Sequence, residues 1–176
     1  MADSIVIYDL DQTDTLGNHD HLAGQLREFL DVNYASTAAV RPDLTQMKIK
    51  ARWVKNDSGG TLAARTAVNY KSGYWGKYVG AACGVSPERP DGVVNPYAGT
   101  IASGAWFWMI VSGPCELISD GASTIALTDL ITTAASGKTK KVASGTAATI
   151  PGTFARPMET VTNVDGTTYR AMCYVE

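Results

Sequence analysis

The sequence predicts a mainly β protein: an antiparallel sandwich or barrel over residues 42–176, preceded by an extended arm, residues 1–41, with one short helix at about 21–32. Three observations predict it. The apolar run Trp106-Phe107-Trp108-Met109-Ile110-Val111, bounded by Gly104 and Gly113-Pro114, reads as a strand buried on both faces. From Leu44 the pattern changes to a period of two, with Met47, Ile49, Ala51 and Trp53 facing one way and Lys48, Lys50 and Arg52 the other. Asp165-Gly166 separates two Thr/Val-rich runs and has the chemistry of a type I′ hairpin turn. Short strands with Gly-rich turns and no βα alternation select a sandwich or barrel.

Taken in order, Ser4–Tyr8 is a brief apolar run leading into an acidic polar segment, Asp9–Asp20. Leu22, Leu26, Phe29 and Leu30 recur at helical spacings, and Asp20 is placed to cap a helix; Gly24 weakens it. Asn33–Pro42 is small and polar, and reads as a linker. The turn-rich Lys55–Gly60 separates two alternating segments, so residues 45–71 predict an antiparallel hairpin. Ser86–Gly99 contains three prolines and reads as a surface loop. After the central strand, Gly113-Pro114, Asp120-Gly121 and Ser136-Gly137 divide the chain into short pieces, and a closing hairpin joins Thr160–Val164 to Thr167–Val175.

Composition narrows the function. With 15 basic and 17 acidic residues the chain shows no basic excess, which gives no support for a nucleic-acid partner. No stretch approaches the roughly 18 continuous apolar residues of a membrane span, and the first residues show no secretion signal. Three widely spaced cysteines, Cys83, Cys115 and Cys173, argue against a disulfide framework and against a zinc site; buried, reduced thiols are expected, as in a protein made in the cytoplasm.

Four patterns carry chemistry. Ile5–Thr13, IVIYDLDQT, resembles the first motif of the haloacid dehalogenase superfamily of phosphotransferases. That resemblance implies a magnesium-dependent phosphatase with Asp9 as nucleophile and Asp11 as general acid, on a parallel α/β sheet. Gln12 stands where the family has Gly, and residues 44–176 offer antiparallel β instead of the later motifs. His19-Asp20-His21 has the spacing of two metal ligands on one strand face, but reads more simply as a solvated helix start. Ser136-Gly137-Lys138-Thr139 echoes the end of a phosphate-binding loop without its first Gly, and Lys138, Lys140 and Lys141 read as guards of an exposed edge. Trp53, Trp75, Trp106 and Trp108 with Tyr70, Tyr74 and Tyr78 admit a glycan-binding platform, while alternation sends Trp53 and at least one of Trp106 and Trp108 into the core.

Gly99–Val175 carries an aromatic strand, a Gly-Pro turn and a short strand (GTIASGAWFWMIVSGPCELIS), then DGASTIALTDLI, TIPGTFARPM and a closing YRAMCYV. In this layout it resembles the β-domain of tailed-bacteriophage capsid decoration (cement) proteins. The resemblance implies a non-enzymatic structural virion protein, without a cofactor, on the exterior of an icosahedral capsid. Its partner would be the major capsid protein, and its own assembly a homo-oligomer such as a trimer. The N-terminal arm, including Ile5, Ile7 and Tyr8, is the expected anchoring segment, suited to adding a strand to a neighbour's sheet edge.

Overall fold

A computed structural model describes residues 10, 12–17, 19–30, 47–84, 89–142 and 152–175. These residues form a mainly β fold, and no helix among them reaches seven residues. The strands are β1 (Thr13–Asp14), β2 (Leu26–Leu30), β3 (Lys48–Asn56), β4 (Ala67–Tyr70), β5 (Tyr78–Ala82), β6 (Gly92–Val94), β7 (Trp106–Ile118), β8 (Ile131–Thr133), β9 (Thr139–Lys141), β10 (Ala155–Pro157) and β11 (Thr168–Tyr174). All belong to one sheet.

The pairings close a ring. β3 pairs with β5, β5 with β4, β4 with β6, β6 with β7, and β7 again with β3, where Trp53 lies opposite Trp108. Only β3–β5 is parallel among the named pairs; the others are antiparallel. The interior of this small barrel is filled by Val54, Val68, Val79, Val94, Phe107, Met109 and Val111, so each of the five strands contributes. A closed ring leaves its strands no free edges, and alternate residues must face inward.

The other face of the same strands builds a second core. Ile49, Ala51, Trp53, Trp106, Trp108 and Ile110 point outward from the barrel, where they meet Phe29 of β2, Leu117, Ile131, Phe154, Tyr169 and Ala171. Trp108 packs edge-on against Phe29 at 5.1 Å and against Trp53 at 5.0 Å between ring centroids. β7 is therefore buried on both faces, as its unbroken apolar run predicts. Each large side chain so buried contributes about 1.5–3 kcal/mol relative to exposure.

Several local expectations are corrected. The helix over 21–32 is not formed: Asp20–Leu22 is one 3-10 turn, and Leu26–Leu30 is strand β2, antiparallel to β3. Only Phe29 of β2 is buried, while Leu26 and Leu30 are exposed, so the apparent helical stripe is no buried face. Residues 45–71 are not a hairpin, because β3 takes β2, β5 and β7 as neighbours. Gly113-Pro114 does not end the central strand. Gly113 adopts φ 99, and β7 continues through it from the barrel ladder to β11, with Pro114 opposite Met172. The proline-rich 86–99 segment contains buried β6, too short to show a period. The closing hairpin is not the one expected: Thr160–Val164 is no strand, Val161 bridges to Ile125, and β11 pairs instead with β10, Ala155–Pro157. Asp165 does not take the positive φ that a type I′ turn requires, only Gly166 does.

Cys115 and Cys173 are joined in a disulfide between β7 and β11, 58 residues apart in sequence; Cys83 is a buried thiol that donates to Asn69 Oδ1 at 3.3 Å. Their expected reduced state is thus overturned by register. Cys115 lies opposite Ala171 and Cys173 opposite Gly113, which places the two cysteines diagonally on one face with Cα atoms 6.4 Å apart.

Candidate functional site

Asp9 and Asp11, and the arm residues Ile5, Ile7 and Tyr8, lie outside the described residues. The parallel α/β sheet implied by the dehalogenase resemblance is not the sheet observed. The described part of the N-terminal segment packs onto the β-domain. β1 pairs with β7, Leu10 is fully buried, and the Asn95 side-chain amide donates to the Leu10 carbonyl.

Asp14 organises the next turn. Its carboxylate accepts from the backbone N–H groups of Leu16 (2.8 Å), Gly17 (3.1 Å) and His19 (3.0 Å), and meets the His19 ring Nδ1 at 3.0 Å. Burial pushes the Asp14 carboxyl up, but the Leu16 N–H, the His19 ring and the His19 N–H together outweigh it, leaving the group below its usual range. His19 is thus a loop-closing partner; its ring stands 6.3 Å from that of His21. Among the described residues no cluster of three His, Cys, Asp or Glu side chains is arranged to hold a metal.

The phosphate-loop echo is also absorbed by structure. Ala135–Gly137 is a 3-10 turn, Lys138 pairs with Asp165 at 2.7 Å, and the buried Thr139 hydroxyl donates to the Ile118 carbonyl and meets the Tyr169 hydroxyl at 2.7 Å. Burial drives the Tyr169 phenol far up, keeping it neutral. β9, which carries Lys140 and Lys141, ends the order of strands among the described residues. Its other side is bridged at Thr139 to Ser119 and its lysines are half-buried, so it is not the fully exposed edge that the sequence predicts.

The tryptophans divide sharply. Trp53, Trp106 and Trp108 are core residues, whereas Trp75 is 73% exposed. It stands on the turn between β4 and β5, which is closed by hydrogen bonds from Lys71 N to Tyr78 O, Tyr74 N to Lys71 O and Lys77 N to Tyr74 O. Gly73 and Gly76 take φ 81 and 75, a backbone that other residues rarely adopt.

Beside Trp75 opens a groove of ≈ 480 Å³ lined by Tyr70, Trp75, Arg89, Pro90, Asp91 and Val175, with Asn69 and Ser72 along its continuation. The Tyr70 and Trp75 rings form an open V, 6.0 Å between centroids and inclined at 55°. Asp91 Oδ2 accepts from the Tyr70 N–H at 2.7 Å, and Arg89 Nη2 donates to the Val175 carbonyl at 2.6 Å, so both charged groups are held in place. Sequence reasoning named Trp75 and Tyr70 as aromatics but had no signal for Arg89 and Asp91, which reach the groove from the segment leading into β6.

No family profile matches the sequence, and no curated protein does. Among solved structures, the chain is similar to the head fiber gp8.5 N base of bacteriophage phi29. The TM-score is 0.51 and the sequence identity 15%, over 73% of this chain and 96% of that one. At that identity the likeness is one of fold.

Proposed function

We propose that the chain is a structural protein of a tailed-phage virion that sits on the outer surface of the head and stabilises contacts between capsomers. The observation that carries this reading is the fold shared with nearly the whole of a phage head-fibre base. The layout of residues 99–175, which resembles capsid decoration proteins, points the same way. The partner is the major capsid protein. The chain acts as a homo-oligomer, such as a trimer, because weak contacts repeated over a symmetric shell add up to high avidity. Within the arm, residues 1–41, β1 and β2 pair into the sheet, and Ile5, Ile7 and Tyr8 ahead of them are the residues to which we assign the anchoring.

A second reading, favoured by the kind of protein whose fold is shared, is the base module of a fibre standing on the head. Quantitative mass spectrometry of gradient-purified particles separates the two. A simple whole-number ratio to the major shell protein, at hundreds of copies, is the expected result. A few copies per particle favours the fibre base, and absence from particles overturns both. Deleting residues 1–9 is expected to abolish attachment to shells while the β-domain remains folded; undiminished attachment removes the arm from the mechanism.

A further inference from the structure

We propose that the groove beside Trp75 is a binding site for a neutral saccharide, with a sugar ring stacked on the Trp75 indole. Three features of the groove point to this ligand class. The first is exposure. The chain buries its other three tryptophans at 3% accessibility or less, yet holds Trp75 open on a hydrogen-bonded turn, so the indole face is presented with little left to order on binding. An indole face is apolar and electron-rich, and the C–H face of a pyranose is its natural complement.

The second feature is the polar rim. A carboxylate (Asp91), a guanidinium (Arg89), an amide (Asn69) and a hydroxyl (Ser72) line the groove and its continuation. Asp91 and Arg89 are each fixed by a backbone hydrogen bond. The carboxylate, guanidinium and amide are planar groups of the kind that accept from and donate to neighbouring ring hydroxyls. The third feature is charge and size. Among the described lining residues one positive and one negative group balance, which suits a neutral ligand. The ≈ 480 Å³ volume lies within the range of about 300–1,000 Å³ typical of small-ligand sites. A proline-rich peptide also stacks on tryptophan, but needs a run of aromatic ridges, whereas this groove offers one aromatic V beside paired planar polar groups.

This inference is independent of whether the chain attaches to a capsid. The test is titration of the full chain with cellotetraose, maltotetraose and chitotetraose, followed by tryptophan fluorescence and by calorimetry. Saturable binding of at least one is expected, with a change in Trp75 emission. Trp75→Ala is expected to weaken it about tenfold or more at an unchanged melting temperature, and Trp75→Phe to restore part of the loss. Wild-type protein that binds none of the three overturns the proposal, as does equal affinity in Trp75→Ala. Binding of decaproline in their place assigns the groove to peptides and overturns it too. Incorporation of Trp75→Ala into particles tests the capsid role separately.

Discussion

Asp14 and Asn56 show how single polar side chains shape the ends of this sheet. Asp14 holds three backbone donors, and its carboxyl titrates below the usual range. A group whose folded pKa is depressed stabilises fully above its unfolded value and loses that contribution as pH falls through the folded value. The Asp14 contribution is therefore intact at neutral pH and disappears progressively below about pH 4. Asp14→Ala is expected to lose about 1 kcal/mol at pH 7, and to show a smaller difference from wild type in acid, by urea denaturation at both pH values. Asn56 is fully buried, and its Nδ2 donates to the carbonyls of Gly60 (2.9 Å), Ile101 (3.0 Å) and Ala102 (3.1 Å) while its Oδ1 accepts from Ser58. Asn56→Ala removes these bonds, although the Gly60, Ile101 and Ala102 carbonyls each keep a second donor in Ser58 Oγ, Leu62 N–H and Ala105 N–H. It is expected to cost about 1–2 kcal/mol, read from the shift of the denaturation midpoint.

At the scale of elements, β7 depends on a glycine and a covalent bond. A side chain at Gly113 would overlap the Lys48 carbonyl oxygen, and the φ of 99 is strained for any other residue. Gly113→Ala is expected to destabilise by about 2 kcal/mol or more, measured by thermal unfolding. The Cys115–Cys173 bond closes a 58-residue separation, and loop entropy assigns it up to about 4 kcal/mol. Unfolding with and without reductant measures that contribution, and an unchanged midpoint would remove the bond from the account.

This scale also shows where sequence reading stops. β7 was legible because burial on both faces leaves an unbroken apolar run, and β3 because burial on one face leaves a period of two. β2 was not: Leu22, Leu26, Phe29 and Leu30 mimic a helical stripe, but a five-residue edge strand with one buried residue has no period of its own. The disulfide was hidden because register, unknown from sequence, decides which cysteines meet.

For the whole molecule, the two cores lie on opposite faces of the same long strands, β3 and β7. Amide hydrogen exchange is expected to be slowest in the ring strands β3, β6 and β7 and fastest in the edge strands β2 and β9. The mainly β class and the barrel-or-sandwich architecture followed from turn spacing, but the closure of the ring did not. β3 meets β7 across some fifty residues that include three other barrel strands, and no local pattern records that pairing. The groove was half legible for the same reason. Its aromatics lie close together in sequence, while its charged rim arrives from a segment that composition marks only as a loop.

β7 also imposes a timetable. As the chain leaves the ribosome, residues 106–112 find β3 already made, and the barrel has all five of its strands. Residues 112–118 have to wait for 168–174, so half of the most apolar strand stays unpaired while the intervening chain is still being synthesised. The barrel is thus the first unit able to close, and the outer layer sets only after β11 arrives and its cysteine can meet Cys115.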